Sequence, residues 1–435
     1  MSGGLYGGDD VGAIVFDVGS HTLRCGYGGE EFPKIVIPSV VGVRNRKDAG
    51  NVTERTDESM EVDNEAKPAP KKDYFLGTQT VNVPRADTEI KPFMKDCQIE
   101  DWELFEQMLD YVYNGCLKTE SKNHGTLFSE APWNQKDKRE KLAELMFEKY
   151  GVPSFYLVKN AVLTTFAAGR TAGLVLDSGA TYTSACPVYE GYPLLNAVVK
   201  SPVGGDMIVD QCQRVLAKQG IELVPYFKIK SKKEVDDGKR PVWTAKKLPP
   251  VTESYDNFMK KQLVEDFAHS TLQLCDTPVD IEFMDKLPAS SYGFPCGFRK
   301  DFLAERAKIP ESLFDLKYLE GHDEVKESLL DVSQVAHTSC GMCDIDVRPH
   351  LYGNLLVTGG NSLIMGFTER LNHDLAQKCN STVKLRVPQS QPNERKYGAW
   401  IGGSIVASLG TFQQLWISKV EYEETGKVIV ERRCA

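Results

Sequence analysis

The sequence contains no run of 18 apolar residues and no N-terminal basic stretch followed by an apolar one. A helix that crosses a bilayer needs about 20 predominantly apolar residues, and a secretory signal needs both of those N-terminal parts. We therefore expect a chain that neither spans a membrane nor enters the secretory route. Eleven cysteines are scattered along the sequence, and in a reducing compartment they are expected to be buried free thiols.

The chain also contains fewer basic than acidic residues. Lysine and arginine number 52 against 61 aspartates and glutamates, which gives a formal net charge of −9. A protein that covers nucleic acid with a broad face must neutralise many phosphates, so this balance argues against such a face and leaves room only for a local basic patch. The Walker sequence G-x-x-x-x-G-K-[ST] is absent as well, which excludes a P-loop protein.

The composition that remains is that of an ordinary globular protein, with 41% hydrophobic and 26% charged residues. A length of 435 residues exceeds what one compact core supports, so we expect two or more domains. Two polar stretches interrupt the chain. Residues 44–73 are acidic with few apolar side chains, and we expect a disordered insertion in an exposed loop. Residues 228–250 are rich in lysine and predict a second surface loop, with Trp243 as its candidate anchor.

Apolar patterns alternate between two kinds along the chain. Short continuous apolar runs are typical of strands buried on both faces, and apolar residues at helical spacing between start and stop signals indicate helices. The strands are predicted at 13–16, 174–176 and 355–357. The helices are predicted from Asp101 to Asn114-Gly115, from Asn134 to Gly151, and after Gly359-Gly360 through Leu371. This alternation predicts an α/β class.

One pattern occurs twice. Residues 13–20 and 173–180 each contain four strand residues, an aspartate, one further residue and a glycine. The copies lie 160 residues apart, which suggests a duplicated architecture rather than a short-period solenoid. In each copy the strand carries Asp17 or Asp177 to the sheet edge, and the glycine allows a tight turn whose backbone N–H groups hold phosphate oxygens. The two aspartates would then face a hydrated divalent cation.

Each Asp-x-Gly unit taken alone is more often an ordinary hairpin turn. Two copies after buried strands, together with Gly359-Gly360 after a third strand, favour nucleotide binding instead. We therefore predict that a nucleoside triphosphate is clamped between two domains.

Several segments resemble the actin family. The most specific is the run ERKYGAWIGGS at 394–404, which continues as ASLGTFQQLWISK at 407–419. Segments 131–134, 139–141, 146–148, 177–179, 187–192 and 353–360 are similar to actin segments as well. The resemblance covers 11–40, 92–215 and 340–435, and it is lost in 44–73 and 220–335.

The resemblance implies the two-lobed α/β fold that actin shares with Hsp70 chaperones and sugar kinases, with a nucleotide cleft and four subdomains. Subdomain 1 is expected to comprise 1–38, 92–168 and 398–435, and subdomain 2 residues 39–91 with the insertion 44–73. Subdomain 3 is expected to comprise 169–203 and 330–397, and subdomain 4 residues 204–329 with the polar loop 228–250.

Matching residue by residue, the resemblance implies a site for ATP or ADP with Mg²⁺ or Ca²⁺. The cation is expected to bind through water to Asp17 and Asp177. The residues expected to contact the nucleotide are Asp17, Gly19, Ser20 and Arg24 of the first turn, Asp177, Ser178 and Gly179 of the second, Gly204, Asp206 and Glu265 near the ribose, and Thr358, Gly359, Gly360 and Lys396 near the adenosine.

Departures from the actin pattern bear on hydrolysis. His21 stands where actin has a glycine, and Arg24 replaces its phosphate-contacting lysine with a planar fork. Asn160, Ala180 and Ser184 replace a glutamine, an aspartate and a histidine near the attacking water. Hydrolysis without covalent chemistry depends on positioning, and a misplacement of about 1 Å can cost roughly a hundredfold. We therefore expect ATP binding with little or no hydrolysis, no catalytic residue, and hence no enzyme.

Within the family, the N-terminal GGLYGGD, the segment 132–134 and an acidic insertion at actin's neighbour-binding loop resemble the actin-related subunit of Brahma/BAF-type (SWI/SNF) chromatin remodellers. This implies a nuclear, non-filamentous protein that acts in assembly and regulation of a motor subunit in transcription. The implied partners are nuclear actin, a long helix of a remodelling ATPase docked by helix-in-groove recognition, and other remodeller or histone-acetyltransferase subunits. No membrane is implied, and DNA or histone contact is expected to be weak or indirect.

Two other functions are open at this point. An active, filament-forming actin-like ATPase of the cytoskeleton is disfavoured by Asn160, Ser184 and the replaced loop. A kinase of the sugar-kinase branch needs a catalytic aspartate as base, and Ala180 occupies the place nearest to the phosphates.

Three further features have a plain interpretation beside a functional one. His337, Cys340, Cys343 and His350 have a spacing that could hold zinc, but structural zinc sites usually separate their ligand pairs more widely, so we expect no metal there. His21 is expected to be a polar neighbour of the triphosphate rather than a catalytic base. The lysines of 228–247 are expected to lie on a solvated loop.

Overall fold

The computed structural model describes residues 12–46, 72–233, 235–280, 288–379 and 384–434. Two mixed sheets with helices packed on them confirm the predicted α/β class. Within these ranges no helix is both long and apolar enough to cross a bilayer. The eleven cysteines all lie in these described ranges, and no disulfide joins any of them.

The first sheet has six strands, and the predicted apolar strand lies in its interior. Ile14, Val15 and Phe16 are fully inaccessible because helices and loops cover both faces of the sheet. In sheet order the strands are Ile417–Ser418, Ser154–Lys159, Thr126–Glu130, Ile14–Val18, Thr22–Tyr27 and Ile35–Pro38.

The second sheet repeats the plan of the first. In each sheet one strand pairs antiparallel with the next strand of the chain and parallel with a later strand. That strand carries Asp17 in the first sheet and Asp177 in the second. The second sheet consists, in order, of Tyr192–Pro193, Thr183–Tyr189, Gly173–Ser178 and Leu355–Thr358, with Val199–Ser201 paired to Thr183–Tyr189. The sequence repeat is therefore a repeat of structure.

Smaller sheets surround these two. They are the three-stranded sheet of Lys72–Phe75, Val40–Asn45 and Thr88–Pro92, and the two-stranded pairs Met94–Lys95 with Gln98–Ile99, Ile229–Lys233 with Val242–Ala245, and Ser290–Gly293 with Arg299–Phe302. The prediction of a plain loop at 228–250 is therefore wrong. Part of that segment is a hairpin, and Trp243 is partly buried against the core of the second sheet, as its interpretation as an anchor requires.

The predicted insertion 44–73 is ordered at both ends. Residues 44–45 and 72–73 extend two paired strands, whereas 47–71 lie outside the described residues. Arg44 and Arg46 each place a nitrogen 2.7 Å from a carboxylate oxygen of Asp73. These two ion pairs close the base of the insertion, so its predicted limits were too wide.

The helices cover the sheets and join them. The α-helices are Thr78–Val81, Trp102–Asp110, Lys136–Glu144, Asn160–Ala167, Gly205–Lys218, Glu253–Thr271, Glu305–Glu311, Asp323–Lys326, Val332–Gly341, Arg348–Tyr352, Phe367–Lys378, Pro392–Ser408, Lys419–Thr425 and Ile429–Arg433. Two of them continue as π-helices, Tyr111–Leu117 and Leu145–Lys149. The 3-10 helices are Ser121–Asn123, Leu195–Ala197, Tyr226–Lys228, Leu316–Tyr318, Gly360–Leu363 and Gly410–Phe412.

The helix signals in the sequence are confirmed in part. Asp101 caps its helix, since its Oδ1 accepts a hydrogen bond from the Leu104 amide at 3.1 Å. That helix does not stop at 114–115 but continues as a π-helix to Leu117. Asn134 does not cap a helix, because its amide donates to Glu130 instead, and the helix begins two residues later. The helix after Gly359-Gly360 begins at Phe367 and runs past Leu371 to Lys378.

Two helices lie between the sheets and form a hydrophobic core cluster with them. Asn160–Ala167 and Pro392–Ser408 pack against side chains of both sheets, such as Val15 and Val175. They approach so closely that a Cβ on Gly402 would lie 1.8 Å from the backbone oxygen of Leu163. These two helices therefore hold the two sheets in fixed positions relative to each other.

Candidate functional site

A cavity of about 740 Å³ lies where the two Asp-x-Gly hairpins meet, within the size range of small-molecule and cofactor sites. Twelve of the fourteen residues predicted as nucleotide contacts line it. They are Asp17, Gly19, Ser20, Arg24, Asp177, Gly179, Asp206, Glu265, Thr358, Gly359, Gly360 and Lys396. The fold thus brings together residues spread over 380 positions of the sequence.

Ser178 and Gly204 are the two predicted residues that the structure does not bring to the cavity wall. Ser178 is fully buried, and its hydroxyl shares a hydrogen bond of 2.8 Å with the hydroxyl of Thr183. A Cβ on Gly204 would lie 2.6 Å from the carbonyl oxygen of Ala180, so only glycine allows this close approach. Both residues therefore contact the second hairpin rather than the cavity.

The first hairpin holds a carboxylate and a guanidinium together. Arg24 stands opposite Asp17 in the antiparallel register, and its Nη1 donates to Asp17 Oδ2 at 2.6 Å. Ser129 Oγ donates to the other oxygen of Asp17 at 2.5 Å. Arg24 also lies over the Tyr397 ring, 5.6 Å from its centroid, and its Nε is buried without a partner within the described part of the chain. Arg24 also lines the cavity, and a guanidinium there fits an anionic oxygen.

The surroundings of the second carboxylate, Asp177, disfavour its ionised form. Burial and, after it, the negative charge of Asp17 raise the pKa of Asp177 to about 6, although Arg24 opposes the shift. Asn160 Nδ2 donates to Asp177 Oδ2 at 3.2 Å, which fixes the carboxyl group. A divalent cation beside both carboxylates would remove their repulsion. One or two carboxylates with substrate phosphates is the donor set that Mg²⁺ usually takes, so these residues fit the implied cation.

The two turns are closed by equivalent hydrogen bonds. The Gly19 amide donates to the Thr22 carbonyl at 3.0 Å, and the Gly179 amide donates to the Tyr182 carbonyl at 2.9 Å. The tips of the turns, residues 20–21 and 180–181, face the cavity. Two tight turns after buried strands form the kind of backbone concavity that holds anions.

The third loop also depends on glycine. Gly359 has φ +92°, and a Cβ there would lie 2.2 Å from the carbonyl oxygen of Ser178. Its amide donates to the Arg395 carbonyl at 3.0 Å, which also accepts the Thr358 hydroxyl at 2.8 Å. The loop and the start of the last long helix are thereby fixed to each other beside the cavity.

The lining residues that the sequence analysis missed include Ser129, Cys97, Thr181 and Asn361. Ser129 occupies, beside Asp17, the place that Thr358 occupies beside Asp177, at the carboxyl end of the parallel neighbour strand. The rule that ligands bind at the carboxyl ends of parallel strands could have found it. Asn361 lies two residues after Gly359, and its side chain donates to the Gly179 carbonyl at 2.9 Å.

The hairpin tips touch each other across the cavity. Thr181 Oγ1 donates to Ser20 Oγ at 3.2 Å, and Cys97 Sγ lies 3.4 Å from each of these hydroxyl oxygens. Burial raises the pKa of the Cys97 thiol, so the group is neutral at physiological pH. No pattern in the sequence connects Cys97 to the hairpins, because only the tertiary fold brings it there.

Glu265 is engaged at the opening of the cavity. Its Oε1 lies 3.0 Å from Nε2 of His21, whose side chain is about half exposed. Burial raises the pKa of Glu265, but the hydrogen bond and charge of His21, with Lys261 and His269, outweigh burial and leave the pKa lowered. The residue predicted near the ribose is therefore paired with the residue predicted near the triphosphate.

The positions that bear on hydrolysis differ in exposure to the cavity. Asn160 and Ala180 line it. Ser184 is buried in the second sheet opposite Asp177 and is not part of the wall. At these two positions the cavity wall therefore presents the Asn160 amide and the Ala180 methyl group, and neither is a base.

The histidines and cysteines whose spacing could hold zinc, between His337 and His350, do not converge on one point in the structure. His337 Nδ1 shares a hydrogen bond of 3.2 Å with the Tyr352 hydroxyl, and the His350 ring lies 6.1 Å from the Tyr189 ring. Across the ranges that the structure describes, no three or more histidine, cysteine, aspartate or glutamate side chains converge as metal ligands.

Comparison with known proteins gives a consistent result over the whole chain. The actin family model matches residues 8–435. Actin-related protein 4 of Arabidopsis thaliana is 38% identical over 99% of this chain and 100% of its own length. Actin-related protein 4 of Oryza sativa subsp. indica is 36% identical with the same coverage, and that of Yarrowia lipolytica is 35% identical over 99% of this chain and 97% of its own.

Proposed function

This chain belongs to the actin family, as an actin-related protein similar throughout to actin-related protein 4, and on that premise we propose that it binds ATP as a structural ligand and hydrolyses it barely or not at all. We further propose that it is a nuclear, non-filamentous subunit of chromatin-remodelling complexes of the SWI/SNF type, with a place in histone-acetyltransferase complexes. The four-subdomain division belongs to the same proposal.

One observation carries the nucleotide proposal. Two equivalent hairpins place Asp17 and Asp177 at one cavity, and Arg24 adds a guanidinium whose Nε has no partner among the described residues. Glycines allow the turns to pack closely: a Cβ on Gly19 would lie 3.2 Å from the Thr22 carbonyl oxygen, and one on Gly359 would lie 2.2 Å from that of Ser178. A divalent cation, when bound, neutralises phosphate charge. The protein residues orient the phosphates: Arg24 donates to an oxygen, and the hairpin tips surround the chain of phosphates.

Weak hydrolysis is supported by what surrounds the carboxylates. The Asn160 amide nitrogen is already bonded to Asp177, and Ala180 offers no polar atom on its side chain. Of these two side chains, only Asn160 Oδ1 remains to orient a water, so the positioning of an attacking water is weakened. Since the reaction depends on positioning rather than covalent chemistry, this loss reduces turnover and leaves binding intact.

The chromatin role is supported by the resemblance of 3–9 and 132–134 and by the acidic insertion that replaces a filament contact in actin. The proposed partners are nuclear actin, a long helix of a remodelling ATPase, and further remodeller or acetyltransferase subunits. Affinity purification of the tagged chain from nuclear extract tests this. Actin and a remodelling ATPase should co-purify, and their absence from the eluate would contradict the proposal.

Binding and hydrolysis are tested on the purified chain. Calorimetry should show one ATP site per chain, and single-turnover assays should show hydrolysis far below that of skeletal actin. Sedimentation with Mg²⁺ and ATP should leave the chain in the supernatant. Turnover near skeletal-actin rates together with pelleted filaments would establish the active cytoskeletal ATPase instead.

A further inference from the structure

One surface of this acidic chain concentrates positive charge. Residues 228–247, which include the hairpin of Ile229–Lys233 and Val242–Ala245, carry eight basic and three acidic residues. Their net charge is +5 in a chain of −9, so the remainder of the chain carries −14 (−9 minus 5). The resemblance to actin is lost in this part of the sequence, so the actin pattern does not account for this charge.

The hairpin is fixed to the rest of the molecule. Trp243 packs against the core of the second sheet. At the base of the hairpin, Lys228 Nζ lies 2.5 Å from Asp256 Oδ1, and the rings of Phe227 and Tyr255 meet edge to face with their centroids 5.1 Å apart. The exposed side chains of the hairpin therefore extend from a backbone that is held in place.

The turn of this hairpin contacts a second hairpin at 290–302, because the Gly238 amide donates to the Arg299 carbonyl at 2.9 Å. Seven basic side chains on the two hairpins and directly after the first are exposed and form no ion pair with another described residue. These seven, which we call the basic surface, are Lys230, Lys232, Lys233, Arg240, Lys246, Lys247 and Arg299. The ion pairs of 228–247 use Lys228 and Lys239 instead.

Acidic side chains beside the basic surface are few among the described residues. Asp236 is paired with Lys239, and Asp237 and Asp301 are the exposed carboxylates that remain on the two hairpins. Adjacent strands lie about 4.8 Å apart, so the basic side chains on them repel one another. A bound polyanion would remove this repulsion.

We propose that the basic surface binds the phosphate backbone of duplex DNA without reading its base sequence. Its seven side chains lie outside the candidate nucleotide cavity, so the inference does not depend on the proposed ATP site. They are exposed rather than grouped around a concave pocket of the kind that holds a small ligand. An extended polyanion is the class of ligand that can reach all of them.

Charge density favours duplex DNA over an acidic polypeptide. At about 3.4 Å per residue, the strand Ile229–Lys233 extends over roughly 17 Å. A duplex carries one charge per about 1.7 Å of its axis, so it presents about ten charges over that length. An extended acidic peptide of the same length has about five residues, and its side chains alternate between two faces. The duplex therefore places more negative charge along the strand than a peptide can.

The basic surface offers charge rather than base recognition. Ser231 and Thr244, which lie between the lysines, share a hydrogen bond of 2.6 Å between their hydroxyl oxygens. Trp243 is packed on the core, so its ring is not free to stack on a base. Five of the seven basic side chains are lysines, which are compact point charges without a planar fork. Contacts to phosphate position a duplex and do not distinguish sequences.

Removal of charge from one strand tests the proposal. The test variant keeps the exposed side chains long but neutral, by Lys230→Gln, Lys232→Gln and Lys233→Gln. The control variant removes the same number of charges from exposed lysines elsewhere, by Lys91→Gln, Lys118→Gln and Lys419→Gln. Both variants change the net charge of the chain equally, so only the position of the lost charge differs.

The first measurement is fluorescence anisotropy of a labelled duplex of about 24 base pairs, titrated with the full chain at several salt concentrations. The logarithm of the association constant should fall with the logarithm of the salt concentration, with a slope of about 0.9 for each phosphate neutralised. The test variant should reduce this slope by about 2 to 3 and bind about 10- to 100-fold more weakly at about 0.1 M salt. The control variant should keep the wild-type slope, and a duplex of unrelated sequence should bind equally well.

Competition with poly-glutamate distinguishes the two polyanions. At equal charge concentration, poly-glutamate should displace the labelled duplex at least about tenfold less effectively than unlabelled duplex does. Equal displacement would identify an acidic polypeptide as the partner and would overturn the proposal. It would also be overturned if the wild-type chain bound no duplex, or if the test and control variants had equal slopes.

The second measurement needs no variant. A water-soluble acetylating reagent should modify the exposed lysines of the wild-type chain, and bound duplex should protect those of the basic surface. Lys91, Lys118 and Lys419 should stay reactive in the same sample. Equal reactivity of the basic surface with and without bound duplex would contradict the proposal, even if the test variant failed to fold.

Discussion

The Asp177 carboxyl group is where stability and ligand binding oppose each other. Burial and the charge of Asp17 raise its pKa to about 6 from an ordinary value of 3.8. A group with a raised folded-state pKa contributes stability that is fully present below about 3.8 and is lost as pH rises through about 6. At neutral pH the free protein therefore holds an ionised group that its surroundings disfavour, and the implied cation would relieve this.

Asp177→Asn should stabilise the nucleotide-free protein above pH 6. The amide keeps the shape of the carboxyl group without its charge. A carboxyl pKa raised from 3.8 to about 6 corresponds to a gain of roughly 1 to 3 kcal/mol in the free energy of unfolding when the charge is removed. Urea unfolding at pH 7.5 and pH 4.5 measures it. The gain should shrink at the lower pH, and a gain that is equal at both would show that the charge is not its cause.

Arg24→Lys should weaken ATP binding while preserving the charge. A lysine retains one contact to Asp17 or to a phosphate, but it loses the fork that can reach both and the stacking on Tyr397. Hydrogen bonds to charged groups contribute about 1.5 to 3 kcal/mol, so loss of one should lower affinity by roughly 10- to 100-fold in calorimetry. Undiminished affinity would mean that Arg24 serves only to neutralise Asp17.

For single residues, the sequence predicts which side chains line the cavity better than it predicts which hydrogen bonds they form. Asp17, Asp177 and Gly359 follow strands with a recognisable pattern, and the strands bring them together. The pairing of Glu265 with His21 has no local signal, since the two residues are 244 positions apart. The position of Ser178 was not predictable for a different reason. The side chain of a residue in an Asp-Ser-Gly turn can point to either face, and here the hydroxyl forms a hydrogen bond with Thr183 inside the sheet.

Among the elements, the two helices between the sheets leave no room for a larger side chain where they cross. A Cβ on Gly402 would meet the backbone of Leu163, which cannot move aside as a flexible side chain can. Gly402→Ala should therefore destabilise the protein by roughly 1 to 3 kcal/mol through overpacking, even though alanine favours helices. Chemical denaturation measures this, and Gly410→Ala is the control, since nothing lies within 4 Å of a Cβ there. Equal stability of both variants would contradict the close crossing.

Elements with strong local patterns were predicted, and those that depend on distant packing were not. The buried strands and the Asp101 cap follow from neighbouring residues alone. The hairpin of Ile229–Lys233 and Val242–Ala245 carries lysines where strands usually show apolar alternation. Its Trp243 packs against a core formed by distant parts of the chain, which no local pattern indicates. The π-helix Tyr111–Leu117 escaped because apolar spacing of 3.6 residues carries no sign of a wider turn.

For the whole molecule, ATP should raise the unfolding temperature of both lobes together. The candidate site takes residues from both sheets, so a ligand there binds only when both are folded. A ligand at about 100 times its dissociation constant adds about 2.7 kcal/mol to stability. Calorimetric scans with and without ATP should show one transition that moves upward. Two transitions, of which ATP moves only one, would show that the site belongs to a single lobe.

The first sheet has a consequence for how the chain is made. Phe155 pairs with Ile417, which follows 262 positions later (417 minus 155), and Val15 is covered by the Pro392–Ser408 helix. At about 5 to 20 residues per second, a ribosome needs roughly 13 to 50 s to produce the missing edge strand. Until then the nascent sheet has an open edge and an uncovered apolar face. The N-terminal lobe, although begun first, is completed last, and its exposed edge and apolar face are prone to aggregation during that interval.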